Sequence, residues 1–308
     1  MSLEIPKVIN FFWANEKMSW LRYISIWTAK KFNPEWEVRL YLHSCEEKYE
    51  ISEGPWTHEN IVQDFFNYEG ENFLEKLQEI DVKIINWQPR ILNKTSGSMS
   101  EAMQMDEPFV PKDSTPPQRG DYFKWYLMAT EGGFYSDNDI LFVKSMDDLY
   151  EQYRFKANLI SYDMDDKYFS VGFLASSGKS NFYKDIYIEA LKLYAVGNYQ
   201  QAGVVALNLL LGNHSLTGAW PALESKYPEL DIANIDMNTF YPYRCSEVDY
   251  YFERPPGTIS ENHLKESVGL HWYAGHPTAQ KWNNKLSPTN YTEYDNVITR
   301  ELKKILGS

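Results

Sequence analysis

The chain has 308 residues, 43% of them hydrophobic and 24% charged, and a formal net charge of −13. This is the balance of a folded globular chain with room for one large domain or two small ones. The acidity argues against duplex nucleic acid and anionic membrane surface as partners, because binding phosphate takes basic surface.

A nucleotide is still allowed, since an acidic pocket can hold a pyrophosphate through a divalent cation. Aromatics reach 16%, with 10 Trp and 23 Tyr. Most are expected in the core, and some offer flat faces for sugars or bases. Two cysteines, Cys45 and Cys245, do not make a disulfide framework and point to a reducing compartment. No stretch approaches the roughly 18 to 20 apolar residues of a membrane helix. The N-terminus lacks a basic start with an apolar core behind it, so the expected location is cytoplasmic.

In chain order, Lys7 to Trp13 (KVINFFW) reads as a buried first strand. Met18 to Phe32 has apolar positions at helical spacing, stopped by Asn33-Pro34. Glu37 to His43 alternates as a strand, helices are expected around 58–68 and 71–79, and Val82 to Trp87 is a third strand. This rhythm predicts a parallel sheet covered by helices, with ligands at the carboxyl ends of the strands. Residues 93–118, rich in Ser, Met and Pro, interrupt it as a long loop of the kind that serves as a lid, a binding loop or a disordered segment. Arg119 to Glu131 reads as a helix capped by Gly132-Gly133. Two adjacent strands follow in ANLISYD and YFSVGFLAS, then helices at 180–196 and 203–211, and an amphipathic helix between Thr292 and Leu306. The acidic turn Asp163, Asp165, Asp166 reads as solvated.

The chemistry concentrates in GGFYSDNDILFV, residues 132–143. Read as a strand, it puts Asp137 and Asp139 on one face and Asn138 on the other. Two adjacent carboxylates repel unless a cation or a proton lies between them. Hard oxygen ligands suit Mg²⁺, Mn²⁺ or Ca²⁺. An EF-hand is a poor match, because the glycine and glutamate of that loop have no counterparts here.

The segment RGDYFKWYLMATEGGFYSDNDILF resembles the signature of the DXD-motif glycosyltransferases, among them glycosyltransferase family 32 and the catalytic domains of large glucosylating bacterial toxins. Gly120-Asp121 and Lys124 stand where that pattern has Ser-Asp and then Arg. Gly132, Gly133, Tyr135, Asp137 and Asp139 fill Gly-Gly-x-Tyr-x-Asp-x-Asp. The opening IPKVINFFW is similar to the family's first strand, with Asn10 where many members have His. Downstream, His271 matches the family's His, while His276-Pro277 replaces its Ser-Trp.

The resemblance implies an α/β fold of the GT-A type, a Rossmann-like mixed sheet flanked by helices, as a single domain over 1–308 with the segment 262–308 closing the site. It implies a retaining hexosyltransferase that moves a sugar from a nucleotide sugar, a UDP sugar foremost, to a hydroxyl on a glycan, a lipid-linked sugar or a protein, as in polysaccharide biosynthesis. Mn²⁺ (or Mg²⁺) would be the cofactor, because carboxylates with an imidazole favour it over Ca²⁺. By the same resemblance Asp139 is the direct metal ligand, and His271 is a ligand near the C-terminus. Asp137 touches the metal, its waters or the sugar. Trp13 stacks on the base, Asp121 accepts hydrogen bonds from ribose or sugar, and Lys124 takes the donor-contacting position. His276 is expected to be a loop residue. Two other readings stand beside this one: a catalytically degenerate nucleotide-sugar-binding protein, and a glycoside hydrolase using two carboxylates.

Overall fold

The computed structural model describes residues 4–14, 17–43, 68, 70–92, 96–112, 114–193, 200–212, 219–254 and 262–307. Eleven strands lie among them: β1 Val8–Trp13, β2 Glu37–Leu42, β3 Val82–Asn86, β4 Arg90–Leu92, β5 Phe109–Pro111, β6 Gly133–Ser136, β7 Ile140–Phe142, β8 Asn158–Asp163, β9 Tyr168–Ser176, β10 Ile232–Ile235 and β11 Gly269–His271. Seven form one mixed sheet in the order β10-β8-β9-β6-β1-β2-β3. β1, β2, β3 and β6 run parallel, β9 is antiparallel to both β6 and β8, and β10 is parallel to β8. This is the expected mixed sheet flanked by helices.

The period of two along the strands sorts side chains onto two faces. Ile9, Phe11 and Trp13 of β1 pack on one face with Phe134 and Phe173, while Phe12 packs on the other with Phe123, Tyr135 and Leu174. The helix Trp20–Phe32 begins where the Ser19 side chain accepts from the Arg22 N–H and ends at Asn33, with Lys30 and Lys31 in its last turn. The helix Pro116–Thr130 starts with a reciprocal Thr115–Gln118 cap and two prolines, which give up no intrahelical N–H there. It stops at Gly132, whose φ is 78°. A Cβ there would come within 2.4 Å of the Gly178 nitrogen, so only glycine fits this handover from helix to strand.

From β1 the chain proceeds to β2 and β3 on one side, and β6 pairs with β1 on the other. The order therefore reverses at β1, and a ligand crevice is expected outside the carboxyl ends of β1 and β6. Residues 137–139 lie at that end of β6. β7 leaves the main sheet and pairs antiparallel with β11 instead, so the C-terminal segment is bound to the chain directly after the aspartate pair. A third apolar cluster, including Trp20, Leu21, Trp272, Ile298 and Leu302, docks that segment on the first helix.

Several expectations shift. Within 93–118 the described residues form a helix, Ser96–Ala102, and the strand β5, which pairs with β4. Residues 75–79 form a single tight turn of helix. The tail helix is Val297–Leu306. The helix expected at 58–68 lies, apart from Tyr68, outside the described residues, as does Cys45. Among the described residues no helix is long and apolar enough to cross a membrane.

Candidate metal and nucleotide-sugar site

The aspartate pair is not strand. The Ile140 N–H donates to the Asp137 carbonyl at 3.3 Å, closing a four-residue turn with Asn138 and Asp139 at its corners. The expected alternation still holds by a different route. Asn138 turns inward, donating to the Phe12 carbonyl at 3.0 Å and accepting from Arg22 Nη1 at 2.5 Å. Asp137 and Asp139 stay on the outer side. One ligand atom each from Asp137, Asp139 and His271 lies within 4.8 Å of the others.

His271 arrives through the β7–β11 pairing, where it is the register partner of Ile140. Its Nε2 lies 3.1 Å from Asp139 Oδ1. Two ligand atoms at right angles, each about 2.1 Å from one ion, stand about 3 Å apart, so this spacing fits neighbouring ligands of Mn²⁺ or Mg²⁺. The other oxygen of Asp139 accepts the Ala274 N–H at 2.8 Å, which orients the carboxylate. The chain reaches that contact through Tyr273, a non-glycine residue held at a φ of 52°, the kind of local strain that collects at functional sites. The rings of Tyr241 and Tyr273 flank the imidazole edge-on, at centroid distances of 5.2 and 4.1 Å.

The two carboxylates have opposite electrostatics. Burial alone would raise Asp139. The His271 imidazole, the Arg22 guanidinium and the Ala274 N–H together hold its carboxyl well below the usual range. Asp137 is pushed up by burial and by the Asp139 charge, against the pull of Lys124. It accepts the Tyr135 hydroxyl at 2.7 Å, and its N–H donates to the Gly172 carbonyl at 2.7 Å. Burial also pushes Asp121 up, with Lys124 opposing. Lys124 stays protonated, because the Asp121 and Asp137 charges outweigh its own burial. Its ammonium lies 2.8 Å from Asp121 and 3.5 Å from Asp137. Asp121, sixteen residues before Asp137 in sequence, therefore meets it in space through Lys124.

Not every expected residue sits as the sequence suggested. Trp13 is 4% exposed within the core, and the Arg22 guanidinium lies over its ring at 5.1 Å. The face expected to stack on a base is not open, because the end of β1 is covered by the first helix. His276 lies in the loop as expected, at the cap of the helix Pro277–Lys285, its Nδ1 accepting the Thr278 N–H at 3.3 Å. Asp163 is not solvated. It accepts the N–H groups of Asp165 and Asp166 and pairs with Arg244 at 2.6 and 2.8 Å, which anchors the loop after Tyr241.

Sequence reasoning missed Arg22, Gly172 and Ala274. Arg22 carries no local signal. Gly172, a glycine inside a strand pattern, does mark a close approach of another group. Tyr135 was legible from its i, i+2 relation to Asp137.

Residues 19–156, a little under half of the chain, match the glycosyltransferase sugar-binding region containing DXD motif. No curated protein sequence matches the chain. Among solved structures, the PaToxG glycosyltransferase is 17% identical, with 73% of this chain and 71% of that one covered and a TM-score of 0.41. The galactosyltransferase LgtC, in complex with donor and acceptor sugar analogs, is 10% identical, with 93% and 100% covered and a TM-score of 0.39. The glycosyltransferase GlyE of Streptococcus pneumoniae TIGR4 is 13% identical, with 87% and 54% covered and a TM-score of 0.37.

Proposed function

Taking residues 19–156 as a DXD-motif glycosyltransferase region, we propose that the chain moves a hexosyl group, with retention, from a nucleotide sugar to an acceptor hydroxyl. A UDP sugar is the foremost donor, and a glycan, lipid-linked sugar or protein is the acceptor. The observation that carries this reading is the Asp137–Asp139–His271 cluster at the point where the strand order reverses. Asp139 and His271 would hold Mn²⁺ (or Mg²⁺), with Asp137 on its sugar side. When bound, the ion supplies Lewis-acid stabilisation of the charge on the departing diphosphate.

The chain's own residues supply the rest. The depressed carboxyl of Asp139 stays ionised across the physiological range, so it is available as a ligand without first losing a proton. Asn138 and Arg22 fix the turn from behind, and Ala274 fixes the carboxylate rotamer. Asp121 and Asp137 face the donor sugar with acceptor oxygens. No carboxylate stands out as a nucleophile, and the reading assigns none.

The test is to incubate the protein with Mn²⁺ and a panel of nucleotide sugars, following slow donor hydrolysis with and without a chelator. Metal-dependent hydrolysis of at least one donor is expected. Neither binding nor hydrolysis of any donor would contradict the reading. Tight donor binding with no turnover on any acceptor would favour a degenerate binding protein, and full activity in chelator a glycoside hydrolase.

A further inference from the structure

We propose that His43 and Arg119 form a proton-operated catch, closed while the imidazole is neutral and released when it takes a proton, which ties the approach of the helix Pro116–Thr130 to the carboxyl end of the main sheet. The catch needs neither an ion nor a donor. His43 follows β2 and stitches three strand ends together. Its N–H donates to the Trp13 carbonyl, at the end of β1, at 3.0 Å. Its Nδ1 lies 3.1 Å from the Trp87 carbonyl, just past β3. Its Nε2 lies 2.6 Å from Arg119 Nη1. A guanidinium has donors only. Nε2 must therefore accept, and the ring proton sits on Nδ1, where the Trp87 carbonyl takes it. Both ring nitrogens are satisfied in this one neutral tautomer.

Arg119 makes the other half. It is 5% exposed, and its Nε and Nη2 donate to the Ser114 and Lys112 carbonyls at 3.1 and 3.2 Å. Those carbonyls lie between β5 and the Thr115 cap. Asp121 stands two residues beyond Arg119 on the same helix. One imidazole thus joins β1, β2 and β3 to the approach of the helix that carries Asp121.

A second ring proton has no place in the closed form. It would stand on Nε2, donor against donor, beside a group that is always charged. The Trp87 ring meets the imidazole edge-on at 5.5 Å and brings no charge to answer it. Lys112 is exposed and contributes only its carbonyl. Among the described residues, Arg119 is the charged group that acts on the ring. Burial first, and then the Arg119 charge, hold the imidazole below its ordinary value, against the pull of the Trp87 carbonyl. An opened His43 regains the ordinary value, near 6.5. The open form therefore binds protons more readily, and acid drives the catch open as pH falls below that value.

Hydrogen exchange of the full chain, followed by NMR on the amides of Ser114, Thr115 and Gln118, tests this. Rates are taken at about pH 7.5 and about pH 5.5, either side of the free imidazole value, and are normalised to intrinsic exchange. The helix Asn181–Leu193 serves as reference. Wild-type protection at the three amides should fall at the acid pH by on the order of tenfold relative to that helix, the scale of one hydrogen bond to a charged group. In His43→Gln the side-chain amide can replace both donor and acceptor without titrating, so the fall should disappear. Protection that does not change with pH in the wild type, or the same fall in His43→Gln, overturns the proposal.

Should His43→Gln fail to fold, the wild-type imidazole decides. Its nitrogen chemical shifts should show a proton on Nδ1 and none on Nε2 at the higher pH, with protonation only below the free imidazole value. In Arg119→Met the ring should titrate at higher pH than in the parent. A proton on Nε2, a charged ring at the higher pH, or a titration that ignores Arg119→Met overturns the proposal.

Discussion

The two aspartates of the DXD turn are two residues apart and live in different regions. Asp139 belongs to the small β7–β11 ribbon, where an imidazole, a backbone N–H and the Arg22 charge favour its ionised form. Asp137 belongs to the end of the main sheet. It shares one lysine with Asp121, and burial works against its charge. Neighbouring carboxylates pushed apart by their surroundings usually take different roles. On the proposed function, the contrast would put the ion on the ribbon side and the sugar on the sheet side.

The largest predicted effect is on the ribbon side. Asp139→Asn should weaken Mn²⁺-dependent nucleotide binding by roughly a hundredfold or more, beyond what loss of an outer partner costs, with little change in the melting temperature. Calorimetry with and without the ion checks this, and binding at parental strength would place the site elsewhere. Next comes Arg22→Met, which removes the brace behind Asn138 and one charge favouring ionised Asp139. A loss of about 10- to 100-fold in metal affinity is expected, as for other outer-shell partners, and an Mn²⁺ titration measures it. No change would make Arg22 a core residue only.

The smallest effect concerns pH and a third aspartate. Burial opposes the charge on Asp163, but the N–H groups of Asp166 and Asp165 and the Arg244 guanidinium outweigh it and hold its pKa low. A carboxyl with a lowered folded pKa adds stability above its unfolded value, near 3.9, and that contribution is lost as pH falls through the folded value. Asp163→Asn should therefore lower stability at neutral pH and narrow the gap to the parent on acidification. Denaturant unfolding at neutral and acid pH would show this, and a gap that stays constant would contradict it.

How much of this was readable in the sequence divides along the same line. The βαβ course and the Gly-Gly handover were legible because they depend on local pattern, whereas Asp121 was singled out only by its match to the family's motif. His271 was legible only through a family resemblance. Its contact with Asp139 depends on β7 leaving the sheet to pair more than 120 residues away, which no local period announces. The Arg22 cover over the Trp13 ring and the Arg244 pairing of Asp163 were not foreseen for a similar reason. Each is decided by what another part of the chain lays over the residue. Lys124 was noticed as a departure from Arg, but of its three acceptors only Asp121 is on its own helix, and the fold brings Val171 from inside β9 and Asp137 from the turn after β6.

The most direct measurement of the division between ribbon and sheet is Mn²⁺ binding by electron paramagnetic resonance, in the presence of UDP and without a sugar, for Asp139→Asn beside Asp137→Asn. The account predicts that Asp139→Asn loses the bound-ion signal while Asp137→Asn keeps most of it and loses donor turnover instead. Equal loss in both variants, or the reverse order, would contradict it.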